Sequence, residues 1–110
     1  MRLIPVDTSA ATVMVAQPPT PKIANRQTGE VATDRETGVR LMVVNVMFAA
    51  NDNVELLAVA VPETGISGDL VMGTPVALTG LVARPWERDG RYGIAFRAVA
   101  VTPLTAVKAA

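Results

Sequence analysis

Two β-rich apolar runs flank Asn51-Asp52-Asn53, and no other feature of the chain constrains its fold as tightly. Residues 40–49 are apolar through Leu41-Met42-Val43-Val44 and Val46-Met47-Phe48, and residues 54–61 repeat that character. Asn and Asp hydrogen-bond their own backbone and tolerate left-handed φ, so the three polar residues between the runs read as a turn. Two such runs joined by so short a polar link form a β-hairpin. Pro62 ends it. The pattern recurs downstream. Residues 75–86 and 91–101 alternate as strands around Glu87-Arg88-Asp89-Gly90, and Asp-Gly is the strongest short-range hairpin signal. Gly80 lies inside the first of these strands, where a glycine marks a bulge or a sharp bend.

One further strand precedes the hairpins. Thr12-Val13-Met14-Val15-Ala16 is a short apolar run, expected to stop at Gln17-Pro18-Pro19-Thr20-Pro21 because proline donates nothing to a ladder. Residues 22–39 are polar and turn-rich, with Thr28-Gly29 and Thr37-Gly38 as turn positions and Glu30-Val31-Ala32-Thr33-Asp34 too short to be a firm strand. Residues 62–74 hold Gly65, Gly68 and Gly73 and suit a loop with at most one turn of helix. Residues 1–10 read as a loose lead-in and 105–110 as a loose tail. No segment of helix length carries a 3.6-residue apolar period. Five strands are too few for an immunoglobulin-type sandwich. The expectation is an all-β single domain over residues 1–110, a five-stranded Greek-key barrel of the OB type.

Composition agrees with that class and narrows function. The chain has 110 residues, half of them apolar, enough for one core without staples. Val and Ala dominate, and stiff β-branched Val favours a pleated surface. Cysteine is absent, so no disulfide and no thiolate metal site can form, which fits a cytoplasmic setting. No run approaches the roughly 18 apolar residues of a membrane span. Met1-Arg2-Leu3-Ile4-Pro5 is broken by Pro5 and Asp7, so no signal peptide is expected.

Histidine is absent as well, which removes the commonest general base and the usual zinc ligand sets. The two serines, Ser9 and Ser67, lie outside any nucleophile-elbow context. Carboxylate pairs such as Asp34/Glu36 and Glu87/Asp89 sit in turns, where they favour tight loops. Asp52 lacks the spaced oxygen ligands of a calcium loop. The expectation is a noncatalytic protein without metal or cofactor.

Formal net charge is zero, yet it is unevenly spread. Residues 41–80 carry four acids (Asp52, Glu55, Glu63, Asp69) and no base. Residues 81–110 carry Arg84, Arg88, Arg91, Arg97 and Lys108 against Glu87 and Asp89. Any footprint for an anion therefore lies in the last third.

That third also carries a family pattern. A glycine (Gly73), a β-rich strand with a second glycine (Gly80), a basic residue before an aromatic (Arg84, Trp86) and a charged turn ending in Gly90 lead into a last alternating strand. This order resembles bacterial single-stranded DNA-binding proteins of the OB fold over their last two barrel strands. The resemblance implies that Trp86 stacks on a base and that Arg84, Arg88 and Arg91 contact phosphates. Tyr92, as a lesser stacking candidate, and Arg97, from the same basic third, complete the expected nucleic-acid-binding residues. Indole offers a flat π-face and arginine neutralises phosphate, so the assignment is chemically coherent. Two readings of Trp86 stand. Its parity with Val76, Leu78 and Val82 suits a core or hairpin-packing residue, and its place at a strand end beside Pro85 suits exposure. The chain departs from the family in its few aromatics, its neutral charge and its tail, which lacks an acidic, Phe-ending peptide.

A wider resemblance rests on Pro5-Val6-Asp7-Thr8-Ser9, Gln17-Pro18-Pro19, Asn25-Arg26-Gln27-Thr28-Gly29-Glu30, Gly73-Thr74-Pro75-Val76, Gly80-Leu81, Trp86 and Phe96-Arg97-Ala98. These are similar to small regulatory or accessory proteins of actinobacterial conjugative plasmids and integrated elements. That implies a setting near replication or transfer of mobile DNA. The expected partner is single-stranded DNA. The alternative is a homo-oligomeric protein-interaction module, because residues 41–48 and 56–61 are apolar on both parities and call for burial on both faces.

Overall fold

In the computed structural model, residues 3–25 and 27–104 are described, so the expectation of a loose tail at 105–110 lies outside them. The fold is all-β. Its strands are β1 (Ile4–Pro5), β2 (Thr12–Pro21), β3 (Ile23–Asn25), β4 (Glu30–Val31), β5 (Leu41–Ala50), β6 (Asn53–Pro62), β7 (Val76–Thr79), β8 (Val82–Arg88), β9 (Arg91–Arg97) and β10 (Ala100–Pro103). A single 3₁₀ turn, Glu63–Gly65, fills the connector expected to hold at most one helical turn. Six strands form a curled, half-barrel sheet in the order β1-β8-β9-β6-β5-β2.

The central hairpin expected from the sequence forms, with a turn one residue shorter than Asn51-Asp52-Asn53 because Asn53 already belongs to β6. Ala50 pairs with Asn53, leaving Asn51 and Asp52 as a two-residue turn, both at positive φ (51° and 65°). Positive φ at both central positions matches the right-handed twist of the flanking strands. β5 and β6 pair along their full length, and β2 pairs with the other edge of β5.

Alternation places the core. Val13 and Val15 on β2, Val44 and Val46 on β5, and Val59 and Val61 on β6 all point to the concave side and are buried. β7 and β10 form a separate antiparallel pair that adds Val76, Leu78 and Val101 to the same core. That pair reaches β2 through an antiparallel bridge between Met14 and Pro75. Beside the bridge, the N–H of Val15 donates to the carbonyl of Thr74 (2.9 Å) and that of Gly73 to the carbonyl of Val15 (2.7 Å).

The structure differs from the sequence reading at three places. First, β2 does not stop before Pro18 but continues to Pro21. Register shifts fall between Val15 and Gln17 and between Gln17 and Thr20, so Pro18 and Pro19 occupy an unpaired stretch where a missing N–H breaks no ladder bond. Second, residues 4–6, expected in a loose lead-in, pair with the last hairpin. Ile4 and Pro5 oppose Ala83 and Val82, and the N–H of Val6 donates to the carbonyl of Leu81 (3.0 Å). Third, the strand expected over 75–86 is two strands, β7 and β8, with Gly80 (φ 65°) at the corner. The partner strand breaks opposite it, between β9 and β10. Val99 lies at this break, and a Cβ on Gly80 would meet its Cγ2 at 3.0 Å.

Candidate nucleic-acid interface

The β8–β9 hairpin turns through Asp89 and Gly90, with φ of 51° and 79°, as the Asp-Gly signal predicts. This turn sets the register: Arg88 opposes Arg91, Glu87 opposes Tyr92, Trp86 opposes Gly93 and Arg84 opposes Ala95. Only the base of the hairpin belongs to the large sheet. β8 meets β1 at Val82 and Ala83, and β9 meets β6 at Phe96 and Arg97. Beyond that, residues 84–95 pair only with each other and project as a two-stranded arm, about 17 Å long at a strand's rise per residue.

Alternation sorts the arm's side chains onto two faces. Arg84, Trp86, Arg88 and Arg91 share one face with Gly93 and Ala95. An open depression here is lined by the four residues Arg84, Trp86, Arg88 and Arg91, by Ala95, and by the acids Glu87 and Asp89. Tyr92 falls on the opposite face with Glu87 and Ile94, and it is 84% exposed. The sequence candidates are thus divided between the two sides of one ribbon.

Gly93 fixes the tryptophan. A Cβ there would lie 2.7 Å from Trp86 Cζ2 and 2.9 Å from Cε2. The indole therefore lies across the neighbouring strand over the space that glycine leaves open. Trp86 is 41% exposed, so it is not a core residue, but it packs across its own hairpin and leaves part of the ring open. The parity argument for a core residue fails at Gly80. Val76 and Leu78 point inward on β7, but after the corner Leu81 is buried and the even positions of β8 point outward.

The electrostatics of this face are unusual for a ribbon. Arg88 and Arg91 sit directly across from one another, and like charges so placed destabilise a hairpin. Among the described residues neither meets a carboxylate at ion-pairing distance. A polyanion lying along the face would offset that repulsion.

Arg97 stands on the same face at the arm's base, but its guanidinium is engaged. It pairs with Oδ2 of Asp34, in the loop that follows β4. Oδ1 of the same carboxylate accepts from the backbone N–H of Glu36 (2.8 Å) and of Thr37 (3.3 Å). The Asp34 carboxyl is held below its ordinary value, first by the Glu36 N–H, then, against the opposing push of burial, by the Thr37 N–H and the charge of Arg97. Arg97 anchors a loop to the arm's base, a role the sequence reading missed.

Among the described residues no helix is long and apolar enough to cross a membrane. Comparison with protein-family models, with curated proteins and with solved structures finds nothing that matches this chain.

Proposed function

We propose that the chain is a noncatalytic OB-type module that binds single-stranded DNA through the β8–β9 arm and works in the cytoplasm as an accessory or regulatory protein of mobile-element replication or transfer. The observation that carries the reading is the exposed Trp86, laid over Gly93 and sharing its face with Arg84, Arg88 and Arg91. A base stacked on an indole gains about 1–3 kcal/mol, and stacking tolerates any base. Strand succession supports the barrel assignment. The observations in its favour are the succession β2, β5, β6, β9, β8 around one curled sheet, the parallel pairing of β6 with β9, and the bridge from Met14 on β2 to Pro75 beside the β7–β10 pair.

Titration with oligo-dT at about 50 mM salt, followed through the fluorescence of the only tryptophan, tests the proposal. Binding should quench Trp86. Log affinity should fall with log salt at a slope of about −2, the value for three phosphates on a single strand. Unchanged fluorescence and no salt-sensitive binding would remove the reading.

A second reading, a homo-oligomeric interaction module, rests on Val54 and Leu56. They are 63% and 74% exposed on the outer side of β6, more apolar surface than a half-barrel alone requires.

A further inference from the structure

β6 and β9 run parallel and pair only at Val59–Phe96 and Ala60–Arg97. Both hairpins therefore leave this junction in the same direction, one ending at Asn51-Asp52 and the other at Asp89-Gly90. Their charges differ in sign. The arm presents Arg88 and Arg91 on one face, with Glu87 and Asp89 near the turn, whereas the β5–β6 hairpin carries Asp52 and Glu55, with no base anywhere in residues 41–80. Each also bears exposed apolar side chains, Val54 and Leu56 on one and Tyr92 and Ile94 on the other.

Among the described residues, neither Arg88 nor Arg91 reaches Asp52 or Glu55 at ion-pairing distance. A two-fold axis between two copies would bring them together, laying each cationic arm against the acidic hairpin of the other copy and making the contact twice. We propose that the arm's second ligand is another copy of this chain, in a reciprocal dimer that covers the Trp86 face. Self-association stands on the charge arrangement alone. Its regulatory consequence, that a second copy and single-stranded DNA exclude one another, rests on the DNA-binding reading above.

Sedimentation of the full chain at micromolar concentration and low salt should show a monomer–dimer equilibrium that weakens as salt rises. Two charge-reversed forms test the contact, Asp52→Lys with Glu55→Lys, and Arg88→Glu with Arg91→Glu. All four positions are exposed, and because Asp52→Lys places a lysine at positive φ in the turn, circular dichroism and the thermal midpoint of each form are measured first to establish that both fold. Each form alone should dimerise about tenfold more weakly, because every cross-copy pair becomes repulsive. An equimolar mixture of the two restores both contacts and should recover the dimer. A wild-type monomer, undiminished association of either form, or a mixture that fails to recover would each overturn the dimer.

Oligo-dT should dissociate the wild-type dimer, and the Asp52→Lys, Glu55→Lys form should bind oligo-dT at least as tightly as wild type. A dimer that binds oligo-dT without dissociating overturns the exclusion. A charge-sensitive dimer with no response to oligo-dT upholds self-association and overturns DNA binding. Quenching by oligo-dT in a chain that never dimerises does the reverse.

Discussion

At Gly93 a missing Cβ decides where the tryptophan lies. The indole needs the space above that glycine, and an added methyl would come within 2.7 Å of its Cζ2 atom. Trp86 is partly exposed, so the ring can swing away rather than strain the backbone. Gly93→Ala should therefore displace the indole while changing stability by less than about 1 kcal/mol, since nothing in the core moves. The expected signs are an altered Trp86 emission maximum in the free protein and weaker quenching by oligo-dT. An emission spectrum and oligo-dT affinity identical to wild type would show that the ring does not depend on this contact. Arg88 and Arg91 make the complementary point, because opposed like charges cost stability wherever nothing neutralises them.

At the scale of elements, the two β-hairpins were readable because their turns are chemically specific. Counting outward from Asp89-Gly90 gives Arg88 opposite Arg91 and Trp86 opposite Gly93, so the platform itself was within reach of the sequence. Two things were not. The corner at Gly80 exchanges the inward and outward faces between β7 and β8, and no period-2 pattern survives such a corner. Pairing of β9 with β6 at only two residues frees the arm, and that depends on contacts distant in sequence. The loop anchored by Asp34 was hidden for the same reason. Its carboxylate binds Arg97 across 63 positions of chain. The Asp34 carboxyl titrates below its unfolded value. Its stabilising contribution is therefore complete above the unfolded value and is lost as pH falls through the folded one. Protection of the amides of residues 34–40, taken relative to the intrinsic exchange rate at each pH, should fall in acid over that interval in the wild type. In Asp34→Asn that protection should be low and independent of pH across the same range. Equal pH dependence in the two proteins would show that another group holds the loop.

At the scale of the molecule, the core and the proposed binding arm occupy different places. The core is built from valines on the concave side, with Val15, Val44, Val46, Val59, Val61 and Val101 as its largest fully buried side chains. Stiff, small side chains fill a curled sheet densely but leave little freedom to close a cavity. The arm begins where this core ends. Phe96 packs against the core at the arm's base, while Arg84, Trp86 and Arg91 are exposed beyond it. Val46→Ala should therefore lower global stability by about 2 kcal/mol, because the residue is fully buried among neighbours that cannot relax into the space. For a domain of this size the thermal midpoint falls by roughly 10 °C. Below that midpoint the variant should still quench with oligo-dT at the wild-type affinity, since Val46 pairs with Val15 and Leu57 and has no partner on β8 or β9. Chemical denaturation and oligo-dT titration of the same preparation measure both quantities. A loss of affinity in step with the loss of stability would mean that the arm is held by the core rather than by its own turn and by Gly93.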